Sequence, residues 1–197
     1  MPTSLPDRVR LPFSFDPALL TRDLERLASV EWIRHFVTAN YDGDWSVIPL
    51  RGTAGVKHPV MMIYPNPNAT EFEDTPILRN CPYFREVLGS FAGSARDVRL
   101  MRLAPGSVIK EHTDHDLNAE ADVVRLHIPI VTNSSVTFLL NGSRVVMEAG
   151  SVWYLRLSDP HSVVNAGDTA RVHMVIDANA GDWIRFLLGS CVMGNGC

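Results

Sequence analysis

From Asp97 onward the chain runs in short apolar stretches of two-residue period, punctuated by Gly, Asn and Asp. Candidate strands are 98–104, 107–114, 122–132, 135–140, 143–148, 151–157, 161–165 and 169–177. Asn141-Gly142, between Val136–Leu140 and Arg144–Met147, is a type I′ hairpin signal, because both central residues of that turn need positive φ. Strands of this length and spacing specify a sandwich or barrel. For eight of them the closed form expected is a double-sheet jelly roll, so the chain is read as mainly β.

The text before Asp97 is different. Residues 1–15 read as an irregular lead-in. Asp16-Pro17 opens a helix, with Asp as N-cap and Pro at the first helical position. Leu19, Leu20, Leu24, Leu27 and Val30 then fall on one helical stripe, read as a packing face for a sheet. A second short helix is expected over Trp32–Val37, a turn at Tyr41–Asp44 and a strand over Trp45–Arg51. Val60–Tyr64 reads as a further apolar strand, 65–76 as a loop and Pro82–Phe91 as a helix. Asp182–Leu188 is expected to close the fold as a helix, with 189–197 as a tail.

The 197 residues fit one domain: a helical lead-in over 1–40, a β core over 41–178 and a closing segment over 179–197. The net charge of −4 offers no basic excess for nucleic acid or an anionic membrane. The N-terminus lacks the apolar core of a signal peptide, and no apolar run approaches the ~20 residues of a membrane-spanning helix. The cysteines are Cys81, Cys191 and Cys197, without metal-type spacing. They read as free thiols in a reducing, cytoplasmic setting.

The chemistry centres on Pro105–Asp114, where a Pro-Gly turn leads into a run ending on His112-Thr113-Asp114. Residues i and i+2 of a strand face one side, so a strand persisting through Asp114 presents an imidazole and a carboxylate to one point. Asp116 could compete as an oxygen ligand, but only Asp114 stands two residues from His112. His161 follows 49 residues after His112. Two imidazoles and a carboxylate form the facial triad of non-haem Fe(II) oxygenases, which leaves metal positions open.

In 122–132, Val124, Leu126, Ile128 and Ile130 share one face, and Arg125 and His127 the other. A charged residue inside a β core is costly without a partner. Either an anionic ligand meets Arg125, or the strand lies at a wetted edge. Arg171 and His173 share a face in the same way, and arginine suits bidentate recognition of a carboxylate. His173 reads as a buried, satisfied histidine or a hydrogen bonder behind the site. His115 reads as exposed, and His35 and His58 carry no assigned role. Arg51 could equally meet a substrate carboxylate or be a surface charge.

His112-x-Asp114, Arg125-Leu126-His127, His161 and Arg171, in this order, resemble the aspartyl/asparaginyl β-hydroxylase family. The resemblance covers roughly 41–178 and includes Leu103-Ala104-Pro105-Gly106, Gly43-x-Trp45, and Thr75-Pro76 with Cys81-Pro82-Tyr83-Phe84. It implies a double-stranded β-helix (cupin-like) core with flanking N-terminal and middle helices. It also implies an enzyme that uses Fe(II), 2-oxoglutarate and O2 to hydroxylate a free, peptidyl or conjugated amino acid, producing succinate and CO2. His112, Asp114 and His161 would be catalytic metal ligands. Arg171 would hold the distal carboxylate of 2-oxoglutarate, with Arg125 and His127 bordering co-substrate and substrate. The family's animal peptidyl-aspartate enzymes have Gly where this chain has Asp114, and Ser where it has Met101. The rival readings are a non-catalytic cupin-like module binding a metal or small anion, and a metal-dependent cupin enzyme without 2-oxoglutarate.

Overall fold

The computed structural model describes residues 5–193, apart from 65, 67, 92 and 122. In chain order it begins with β1 (Arg8–Ser14), α1 (Pro17–Glu25), β2 (Ile33–Arg34), β3 (Tyr41–Asp42) and β4 (Trp45–Thr53). Next come α2 (Pro59–Ile63), β5 (Phe72–Asp74), α3 (Pro82–Gly89), β6 (Ala95–Leu103) and β7 (Val108–His112). The remainder is β8 (Val123–Val131), β9 (Val136–Leu140), β10 (Ser143–Val145), β11 (Ser151–Leu155), β12 (His161–Asn165), β13 (Arg171–Asn179) and α4 (Asp182–Met193).

The strands form two antiparallel sheets. The larger has the order β1-β11-β8-β13-β6-β4-β2, with β5 also paired to β4. The smaller runs β10-β9-β12-β7-β3. Together they make the mainly β, double-stranded β-helix expected. Alternation along the central strands divides the core in two. Val124, Leu126, Ile128, Leu100 and Ile176 point outward to a cluster with Leu20, Phe84 and Val87 of α1 and α3. Val47, Met101, Leu103, Phe138, Val163 and Val175 pack in the space between the sheets. The helices thus seal the outer face of the large sheet, and the interior is left for the site.

α1 starts where its residues require. Asp16 Oδ1 accepts from the Ala18 amide at 2.8 Å, and Pro17 occupies the first turn. Asn141 and Gly142 take φ of 51° and 69°, giving the tight β9–β10 turn. Asp23 is buried and accepts from the Tyr83 and Phe84 amides at 2.7 and 2.9 Å, so α1 caps α3.

Several expectations are corrected. The lead-in contains a true strand: β1 pairs with β11 at the edge of the large sheet, burying Val9 and Leu11. Ile33–Arg34 pairs with β4 and is not helical. Val60–Tyr64 is largely helical instead of extended, because Pro59 starts a turn of helix. The 65–76 loop includes β5, and Tyr41–Asp42 pairs with β7. The expected strand 143–148 stops at Val145. β7 ends at His112, short of Asp114. The closing helix runs past Leu188 to Met193; the rest of the expected tail, 194–197, lies outside the described residues. Among the described residues no helix is long and apolar enough to cross a membrane.

Candidate active site

His112 and His161 are register partners on β7 and β12, with ring centroids 4.3 Å apart. Each ring is oriented by the same local device. His112 Nδ1 lies 2.8 Å from the Lys110 carbonyl, and His161 Nδ1 3.0 Å from the Asp159 carbonyl. A carbonyl only accepts, so each Nδ1 carries the hydrogen and each Nε2 keeps its lone pair free.

Asp114 joins them although β7 has ended. Its amide donates to the Leu157 carbonyl at 2.8 Å, which holds the backbone beside the small sheet. Its carboxylate points to the histidines, with Oδ1 3.9 Å from His112 Nε2. One donor atom from each of His112, Asp114 and His161 lies within 4.8 Å of the other two. Two imidazole nitrogens and a carboxylate oxygen, with the imidazoles locked by backbone acceptors, fit a first-row divalent metal such as Fe(II).

Arg125 is committed within the protein. It forks Asp177, with Nε to Oδ1 at 2.6 Å and Nη2 to Oδ2 at 2.9 Å, and its Nη1 donates to Asp114 Oδ2 at 3.0 Å. Arg99 donates to Asp177 as well, and through Nη1 to the Ile63 carbonyl at 3.0 Å. Burial opposes the charged form of Asp177, but the Arg125 and Arg99 guanidiniums outweigh it and hold the carboxyl below its usual range. Asp97, also buried, is pushed upward by desolvation. Neither Arg99 nor the Asp97–Asp177 pair was singled out in the sequence. Their alternation with Met101 and with Val175 on β6 and β13 was the available signal.

Arg171 is the opposite case. It is 2% exposed and, among the described residues, has no carboxylate partner. Its Nη2 donates to His173 Nδ1 at 2.9 Å, and its Nε is buried without an acceptor. Burial alone pushes it down to about 9. A buried guanidinium is costly unless an anion pairs with it. Burial keeps His127 and His173 well below the ordinary histidine range, so both are neutral, and His127 Nε2 is likewise buried and unpartnered. These orphaned groups fit an anionic co-substrate reaching into the interior.

The wall beside His112 is aromatic. Trp45 lies 6.5 Å from the His112 ring and stacks on His35 at 3.6 Å. Burial lowers His35 to about 3, and the Trp45 indole N–H has no partner. His115 is exposed, as read. Arg51 pairs with Asp74 at 2.6 Å on the β4–β5 side, away from this cluster.

A double-stranded β-helix with two imidazoles and a carboxylate converging between its sheets has the framework of the facial-triad metal proteins. Sequence comparison makes the assignment specific. The profile of the aspartyl/asparaginyl β-hydroxylase family matches residues 17–180, and the chain belongs to that family. An L-proline cis-4-hydroxylase of Rhizobium meliloti (strain 1021) is 29% identical over 171 residues, covering 84% of this chain and 58% of that protein. L-proline cis-3-hydroxylase 1 of a Streptomyces species is 26% identical over 166 residues, covering 82% and 56%. The chain therefore spans a little over half the length of these curated relatives. Among solved structures, a 2OG-Fe(II) oxygenase family oxidoreductase from Burkholderia pseudomallei has a TM-score of 0.54 at 16% identity, covering 89% of this chain and 86% of that one. A Pseudomonas putida prolyl-4-hydroxylase has a TM-score of 0.53 at 13% identity, covering 89% and 93%. These two likenesses are of fold.

Proposed function

We propose that the chain is an Fe(II)- and 2-oxoglutarate-dependent hydroxylase of an amino acid, with His112, Asp114 and His161 as metal ligands. The observation that carries the reading is the pairing of two sites in one interior: three converging metal-type donors, and a buried Arg171 with no acid of its own. A small-anion or metal-binding module needs only one of these.

The charges support a dianionic co-substrate. Counted against the carboxylates of Asp97, Asp114 and Asp177 stand the guanidiniums of Arg99, Arg125 and Arg171 and a divalent metal. Even with all three carboxylates ionised, two positive charges remain, which the two carboxylates of 2-oxoglutarate would meet. Arg171 would take the distal carboxylate in charge-assisted hydrogen bonds. His127 would border it. Arg125 acts through Asp114, occupying Oδ2 so that Oδ1 is left toward the histidines. Trp45 and His35 would shield the metal end from water, and the Trp45 N–H is a donor suited to a substrate carboxylate. When bound, the iron, with 2-oxoglutarate and O2, supplies the oxidation that converts a C–H to a C–OH and yields succinate and CO2.

The relatives named as L-proline hydroxylases make free L-proline, or an amino acid of similar size, the substrate to try first. The test is succinate formation with Fe(II), ascorbate and 2-oxoglutarate across a panel of free and peptide-bound amino acids, with mass spectrometry for an added oxygen. L-proline or a close relative should drive succinate release and gain one oxygen. Absence of succinate with every amino acid, and in uncoupled turnover, would contradict the reading.

A further inference from the structure

A cavity of about 320 Å³ lies beneath the β9–β10 hairpin, and none of His112, Asp114 or His161 lines it. Its buried part includes Arg171, His173 and Phe138; its rim includes the exposed Ser134, Arg144 and Val146. Phe138 stands between this cavity and the metal cluster. Its ring is parallel to that of His161 at 6.3 Å, and Arg171 Cζ is 6.0 Å from the same ring. The buried Arg171 Nε has no acceptor. The volume lies near the lower limit of about 300 Å³ for small-molecule sites.

We propose that this cavity is the passage by which a small dicarboxylate reaches and leaves Arg171, separate from the partly exposed end of the interior at His112 and Asp114. The inference rests on the reading of Arg171 as the anchor of the co-substrate's distal carboxylate. A substrate seated over the metal cluster covers that end of the interior, so a diacid behind it needs another way out. The rim favours an anion: the Arg144 guanidinium is fixed there by the Ser134 and Val136 carbonyls, both at 3.1 Å. Glu148 also lines the cavity and opposes it in part, so the inward pull comes from Arg144 at the rim and Arg171 at depth. Val146, 64% exposed, stands at the same rim, where a larger side chain would meet the mouth of the cavity.

The test is kinetic and needs no turnover. Labelled 2-oxoglutarate is bound to the manganese-loaded protein, and its association and its dissociation under an unlabelled chase are timed, for the parent chain and for Ser134→Trp and Val146→Trp. A passage changes the barrier and not the end states. Each plug should therefore slow association and dissociation together by roughly tenfold, equal to a barrier raised by about 1.36 kcal/mol, with the dissociation constant unchanged. Unchanged rates in both plugged variants would overturn the proposal. So would a change confined to dissociation, since the residue would then contact the bound diacid instead of its route. Arg171→Met, measured alongside, separates the two readings: unaltered 2-oxoglutarate affinity there removes the anchor itself, whereas weakened affinity with unaltered rates in the plugged variants removes only the passage.

Discussion

Arg125 Nη1 and Asp114 Oδ2 meet at 3.0 Å, and the same guanidinium grips both oxygens of Asp177. The contact fixes which oxygen of Asp114 faces the histidines. On the proposed reading, Arg125 is a positioning residue for Asp114, which lies beyond the end of β7. Arg125→Met should weaken Fe(II) or Mn(II) binding by about 10–100-fold, the range for lost outer-shell partners. Arg125→Lys restores the charge without the fork and should recover only part of it. A competition titration with a metal indicator checks both, and affinity equal to the parent's in Arg125→Met would remove the role.

Asp114 itself should matter at least as much. Asp114→Gly, which imitates the animal family members, removes the carboxylate and leaves two imidazoles. Metal affinity is expected to fall by more than the ~10–100-fold of an outer-shell loss. His112→Ala and His161→Ala serve as controls and should abolish metal binding. Parent-like affinity and turnover in Asp114→Gly would make this a two-histidine site.

The sequence made the central strands legible because their period of two is strict. Arg125/His127 and Arg171/His173 could each be placed on one shared face before any coordinates, while whether that face was interior or wetted stayed open. The convergence of His112, Asp114 and His161 was legible too, though for an incomplete reason: Asp114 is held by the Leu157 carbonyl and Arg125, not by continuation of β7. What Arg125 touches was not legible, since its partner Asp177 lies on another strand and pairing is a tertiary fact. β1 was missed although Arg8 and Arg10 alternate with Val9 and Leu11, because the run is short and Pro12 within it argues against a paired strand. Val60–Ile63 misled because a short apolar run has no periodicity to separate strand from helix.

Gly150 ties β1 to the sheet. Its φ is 78°, its carbonyl accepts from the Phe15 amide at 2.9 Å, and an added Cβ would overlap the Phe15 carbonyl oxygen. Gly150→Ala should cost on the order of 1–3 kcal/mol from backbone strain alone, with more from the displaced lead-in. Chemical denaturation with an unchanged midpoint would contradict this packing.

Stability should fall in mild acid. Burial holds His35 at about 3 and His127 and His173 well below their ordinary value, so each is neutral in the fold. Below about pH 6.5 the unfolded chain binds protons that the folded chain refuses, and stability drops as pH falls. The slope is up to about 1.4 kcal/mol per pH unit for each such histidine. His35→Phe keeps the stack on Trp45 and should make the metal-free protein's loss between pH 6.5 and 4 shallower by up to one proton. Unfolding free energies measured across that range with an identical slope would place His35 in contact with water.

The central claim is that one interior holds a metal on His112, Asp114 and His161 and a diacid on Arg171. Calorimetry with 2-oxoglutarate on the manganese-loaded and metal-free protein addresses it most directly. The account predicts saturable binding to the loaded protein, strong weakening without metal, and loss in both His161→Ala and Arg171→Met. Equal binding with and without metal, or no binding to the loaded protein, would contradict it.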